Sequence, residues 1–119
     1  MKSINLKPLF KCAMIIVLTN ERGTIIMKFF IDTANVYGPA EDYIGQFIAH
    51  RRDEYYLATK CGCVIVNRGD HDETPRDWNR NQLEQSIDNS LRRMKTDYVD
   101  VLQYHNPTAE DAIRYDLVQ

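Results

Sequence analysis

The sequence predicts an α/β fold built on parallel strands. Three observations carry this. From Phe29 onward, strand patterns and helix patterns alternate three times along the chain. The strand patterns are continuous apolar runs, as expected where both faces of a strand are covered. Successive strands are separated by helix-length segments, and such units join parallel strands through right-handed crossovers. At 119 residues the chain has room for one domain of modest core, since roughly 100–150 residues is the commonest domain size.

The elements follow in order. Residues 1–28 differ in style from the rest and read as an atypical leader; within them "AMIIVLTNERGTIIMKFF" suggests two short strands around a turn at Asn20 to Gly23. Residues 29–119 carry the regular alternation. "KFFID" is a short buried strand ending at Asp32. "PAEDYIGQFIAHRR" predicts a helix over 39–52. Pro39 suits its first turn, Glu41 and Asp42 its positive end, Arg51 and Arg52 its negative end. Tyr43, Ile44, Phe47 and Ile48 supply its apolar stripe. "YYLATK" is a second strand, ending at Lys60, and "CGCVIVNRGDHDETPRDW" a long polar loop. "NRNQLEQSIDNSLRRM" is the clearest helix: Asn79 caps it, Gln82 stands three residues on, and Leu83, Ile87, Leu91 and Met94 line one face. "DYVDVLQYH" gives a third strand, Tyr98 to about Tyr104. "TAEDAIRYDLV" opens another helix with Thr108 as cap and Asp111 at its third position.

Composition sets the bounds on function. A net charge of -2 argues against a nucleic-acid binder working through a broad basic surface. The charge is uneven: Lys2, Lys7, Lys11, Arg22 and Lys28 stand against Glu21 alone in the leader, and the remainder is acidic. The apolar run Cys12 to Leu18 is far shorter than the ~20 residues that span a bilayer. Its basic flank imitates a signal peptide, but "TNERG" offers no small-residue cleavage site. Three cysteines, Cys12, Cys61 and Cys63, make no disulfide framework and fit a reducing, cytoplasmic setting.

In α/β folds functional groups gather at the carboxyl ends of the strands. Each predicted strand ends in one distinctive polar residue: Asp32, with Tyr37 in the loop behind it, then Lys60, then His105. Free tyrosine has a pKa of about 10 and is a poor acid near neutrality. A nearby ammonium favours the phenolate, and a carboxylate keeps that ammonium charged and oriented. A histidine can donate to a carbonyl oxygen. Together the four make a proton-donating, carbonyl-polarising site.

"FFIDTANVYG", "YYLATKCG" and "SLRRMKTDYVDVLQYHNP", in that order and at strand ends, resemble the aldo-keto reductase superfamily over roughly residues 29–110. The resemblance implies a (β/α)8 TIM barrel, here partial, with about three to four βα units. It also implies hydride transfer between NADPH and an aldehyde or ketone. Carried over residue by residue, the catalytic tetrad is Asp32, Tyr37, Lys60 and His105, and Asn106 and Asp32 lie near the cofactor. A small carbonyl compound is the implied substrate, with no nucleic acid or membrane as partner.

The sequence departs from the family in its first 28 residues and in the second half of the barrel, where a complete barrel needs about 250 residues. In the family that half supplies side chains around the nicotinamide amide and the basic pocket for the 2′-phosphate. The expectation is therefore a truncated fragment, inactive alone, binding NADPH poorly and self-associating through open barrel edges. The alternative is a non-catalytic binding or regulatory module. Outside the tetrad the readings are structural. His50, His71 and "GDHDE" are solvated, and Cys61 and Cys63 are packed rather than a metal pair. Trp78 and the Leu83 stripe are core, and Arg92 and Arg93 form a solvated helix face.

Overall fold

The computed structural model describes residues 13–117, so the first part of the leader, Cys12 included, lies outside the described residues. Strands Ala13–Thr19 (β1) and Ile25–Asp32 (β2) pair antiparallel. Asn20 sets the turn between them, its side-chain oxygen accepting from the N–H groups of Arg22 and Thr24 at 3.0 and 2.9 Å. β2 runs unbroken across residue 28, so the change in sequence style falls inside a strand.

Helix Ala40–Phe47 (α1) follows, then a 3₁₀ segment, Ala49–Glu54, and strand Tyr55–Cys61 (β3). The helix is shorter than the sequence predicts. Ile48 leaves helical backbone at φ −130°, and the chain completes its approach to β3 in tighter turns. The polar loop after β3 contains a small hairpin, Val66–Asn67 (β4) with Asp72–Glu73 (β5). Helix Arg80–Met94 (α2) is capped by Asn79, which accepts from the N–H of Asn81 at 3.0 Å. Strand Val101–Tyr104 (β6) and helix Ala109–Arg114 (α3) complete the described chain, with Thr108 and Asp111 forming a reciprocal capping box.

The main sheet has the order β1-β2-β3-β6, with β2, β3 and β6 parallel. The core lies between this sheet and α1 and α2: Ile31, Ile44, Tyr55, Leu57 and Met94, with Ile48 and Val99 packed against them. Fully burying an aliphatic side chain such as Leu57 stabilises by about 2 kcal/mol. The helices approach closely where side chains are small. A Cβ on Gly45 would come 2.0 Å from the carbonyl oxygen of Arg93. Ser86, Ser90 and Met94 form the buried edge of α2, so the Leu83, Ile87 and Leu91 stripe is only half-buried.

Strand alternation sorts the side chains of β3 onto the two faces of the sheet. Thr59 bonds to Glu41 of α1 and so faces the helices, as do Tyr55, Leu57 and Cys61 by alternation. Tyr56, Ala58 and Lys60 point the other way, and the register brings Asp32 beside Ala58 and Gln103 beside Lys60. On that second face Ala58 is fully buried, while Tyr56 and Lys60 are part-buried. β6 is exposed along its whole length, Val101, Leu102 and Tyr104 included.

Candidate active site

Local chemistry fixes where each rim residue stands. Asp32 is the last residue of β2, and the chain then turns sharply. The N–H of Thr33 donates to Ala58 at 2.9 Å, and the N–H of Tyr37 donates to Ala34 at 3.1 Å, closing a turn. That turn brings the phenol back over the sheet end. Lys60 is the penultimate residue of β3. His105 follows β6, its N–H donating to Cys61 at 2.9 Å. Asn106 comes next, exposed, in a left-handed backbone conformation at φ 52°.

The structure brings the four together. Lys60 Nζ donates to Asp32 Oδ1 at 2.8 Å and to the carbonyl of Thr33 at 2.9 Å. The same ammonium stands 5.0 Å from the centroid of the Tyr37 ring. The Tyr37 and His105 rings meet edge to face, 5.9 Å apart. Lys60 is well buried, its side chain 13% exposed, while Asp32 keeps 32%. Burial, then the cations Lys60 and Arg76, hold His105 below its ordinary pKa against the opposing charge of Asp32. The neutral imidazole is therefore favoured, and its Nδ1 is buried with no hydrogen-bond partner among the described residues. A neutral imidazole, a phenol under an ammonium and a fixed carboxylate can polarise an oxygen and hand it a proton.

Several neighbours escaped the sequence reading. Arg76 reaches the rim because the Pro75–Trp78 segment bridges back to Gly62–Val64, with Val64 donating to Pro75 and Asp77 to Gly62, each at 2.9 Å. Trp78 then lies on Gly62, where a Cβ would come within 2.0 Å of the indole, and meets Tyr104 edge to face. Asn35, inside the "DTANVYG" turn, is 8% exposed. Its composition signal, an asparagine in a turn, is common and did not single it out.

Glu41 is 1% exposed and accepts from Thr59 and, through both Nε and Nη2, from Arg93 at 2.8 and 2.7 Å. Arg93, part-buried, is thus tied to a buried carboxylate and does not belong to a solvated face. Cys61 and Cys63 are buried thiols. Burial raises the pKa of each, so both stay protonated and unreactive.

Comparison with known proteins relates the chain to one family. The family model described as "Aldo/keto reductase family" matches residues 21–115. The uncharacterized oxidoreductase YqkF of Bacillus subtilis is 38% identical over 88 residues, 71% of this chain and 28% of that protein. The aldo-keto reductase YhdN of the same organism is 37% identical over 81 residues, 65% of this chain and 23% of that protein. Among solved structures, the aldo-keto reductase AKR11C1 from Bacillus halodurans superposes with a TM-score of 0.63 at 32% identity, covering 72% of this chain and 29% of the other. The chain thus spans less than a third of the length of these proteins. Its parallel strands and their helices correspond to part of a TIM barrel.

Proposed function

The chain belongs to the aldo/keto reductase family, and we propose that its rim supplies the proton-donating half of an NADPH-dependent reduction of an aldehyde or ketone. The observation that supports this is the convergence of Lys60 on Asp32 and Tyr37, with His105 against the phenol. When bound, the cofactor supplies hydride to the carbonyl carbon. Tyr37 gives its O–H proton to the carbonyl oxygen, and the phenolate left behind is stabilised by the Lys60 ammonium. Asp32 holds that ammonium in place through its hydrogen bond. His105 donates an N–H to the same oxygen. An N–H on the buried, unpartnered Nδ1 would be orphaned, so the proton belongs on Nε2.

The residues present fit the reacting end of the cofactor. Asn106 is exposed beside His105, and its amide, with Asp32, suits the nicotinamide end. The fit stops at β6, whose uncovered Val101, Leu102 and Tyr104 offer no cradle for the distal half among the described residues. In this reading the chain alone binds NADPH weakly and turns over nothing. A second copy or another chain carrying further strands would complete the seat at the β6 edge. The second reading, a non-catalytic module that assembles through that edge, draws on the same exposed strand but leaves Tyr37 and Lys60 without a task.

The test is a chimera in which residues 21–115 replace the matching part of YhdN, assayed with NADPH and an aromatic aldehyde. Turnover should fall by about 10²–10⁴-fold in Tyr37→Phe. A folded chimera whose turnover is indifferent to that change would sink the catalytic reading. Tight NADPH binding by the isolated chain, read by cofactor fluorescence, would sink the incomplete-seat reading.

A further inference from the structure

We propose that Asn35 is the positioning residue for Tyr37: its buried amide ties the turn that presents the phenol to the segment following β3, fixing the ring against Lys60 and His105. The inference rests on Tyr37 being the proton donor, but its geometry stands apart from any activity. Asn35 is the second residue of the Ala34–Tyr37 turn. Its Nδ2 donates to the carbonyl of Cys63 at 2.8 Å and lies 3.4 Å from Ser86 Oγ. The start of the loop is seated independently, since Thr33 is bonded to Ala58 and Ala34 is fully buried. Past Asn35 the chain rises to half-exposed Val36 and Tyr37. Asn35 is thus the last buried anchor before the phenol.

The far end of this strut is stiff. Cys63 bridges Arg76, and hydrogen bonds from Val64 to Pro75 and from Asp77 to Gly62 flank the bridge. The orientation of the amide is not ambiguous, because the Cys63 carbonyl only accepts and must face the nitrogen. Asn35 Oδ1 is left buried with no partner among the described residues. An apolar side chain would fill the space without that cost. What Asn35 does that an apolar residue cannot is donate across the gap between the two rim loops.

The experiment uses the full chain, isotope-labelled, in solution. In the native protein one Asn35 side-chain amide proton should exchange about tenfold more slowly than those of exposed Gln85, and the Tyr37 and His105 rings should show a direct nuclear Overhauser contact. Asn35→Asp keeps the shape and turns the donor into an acceptor. It should abolish the Tyr37–His105 contact while contacts among Ile31, Leu57 and Met94 persist. In the YhdN chimera the same change should lower kcat and leave the KM for NADPH unchanged.

Persistence of the ring contact in folded Asn35→Asp would overturn the proposal. So would an Asn35 amide that exchanges as fast as Gln85, a readout that survives even if the variant does not fold. Indifference of the chimera to Tyr37→Phe would overturn the catalytic reading instead, and leaves both of these measurements standing.

Discussion

The two ends of the parallel sheet are built from the same ingredients and come out differently. Each has a cation, a carboxylate and aromatic rings. At the amino end Arg52 donates to Thr96 Oγ1 at 3.2 Å, to the carbonyls of Tyr55 and Tyr98 at 2.8 and 3.3 Å, and to Asp100 at 2.8 Å. Its guanidinium lies 4.0 Å from the Tyr98 ring centroid and 5.0 Å from that of Tyr55. Asp100 in turn clasps Leu57, accepting its N–H at 2.8 Å and donating its own N–H to the Leu57 carbonyl at 2.9 Å. The charged groups there, Arg52 and Asp100, are matched within the protein, although the Tyr55 hydroxyl is buried with no partner among the described residues.

At the carboxyl end the matching is incomplete. Lys60 has its two protein acceptors, but His105 Nδ1 has no partner among the described residues and Asn106 is exposed. A saturated ion pair holds strands together, whereas an unpartnered imidazole and an exposed amide leave polar groups for something else to meet.

That contrast can be broken by substitution. The largest effect is expected at the amino end. Asp100→Ala strands Arg52, only 11% exposed, and removes the acceptor for the Leu57 N–H. It should cost about 3 kcal/mol in urea or thermal unfolding, with the Tyr37–His105 contact unchanged. Lys60→Met at the other end frees Asp32, which is already partly solvated. It should cost about 1 kcal/mol and raise the pKa of His105 by removing a nearby cation. An equal loss from the two changes would erase the distinction.

The smallest effect is in pH dependence, and it separates the ends by window. The folded pKa of His105 is depressed below 6.5, chiefly by burial. The unfolded chain therefore takes up the proton first, and the rim's contribution fades as pH falls below about 6.5. Asp100 is also depressed, below 3.8. Desolvation opposes this, but the hydrogen bonds from Arg52 and Leu57 and the charges of Arg52 and Lys28 outweigh it. Its contribution is complete above the unfolded value and is lost only as pH drops through the lower folded one. Melting curves should lose the first step in His105→Gln and the second in Asp100→Ala.

The rim was legible because each of its residues closes a local pattern. Asp32, Lys60 and His105 follow apolar runs, and Tyr37 follows a turn, so position along the chain predicts position in space. The hairpin turn at Asn20, the Asn79 cap and the Thr108–Asp111 box are local for the same reason. What escaped was long-range. Glu41 suits a helix start by its charge, but nothing nearby says that Arg93 closes on it. Leu83, Ile87 and Leu91 satisfy helical periodicity, yet α1 sits against the serine edge of α2 because Gly45 lets the backbones approach. The third strand is expected from Tyr98 and begins at Val101, since the Tyr98 carbonyl accepts from the Arg52 side chain and the Leu57 N–H of β3 is taken by the Asp100 carboxylate instead of a backbone carbonyl.

Trp78 is the sole tryptophan of the chain. It rests on Gly62, two residues beyond Lys60, and against Tyr104, which immediately precedes His105. The protein therefore carries a native optical probe on one end only. Tryptophan emission should follow events at the carboxyl rim, such as loop loosening in Asn35→Asp or occupation of the site. The Arg52 cluster, whose chromophores are Tyr55 and Tyr98, should stay dark at that wavelength. Excitation at the red edge of the indole band, where tyrosine does not absorb, then follows the carboxyl end of the sheet alone.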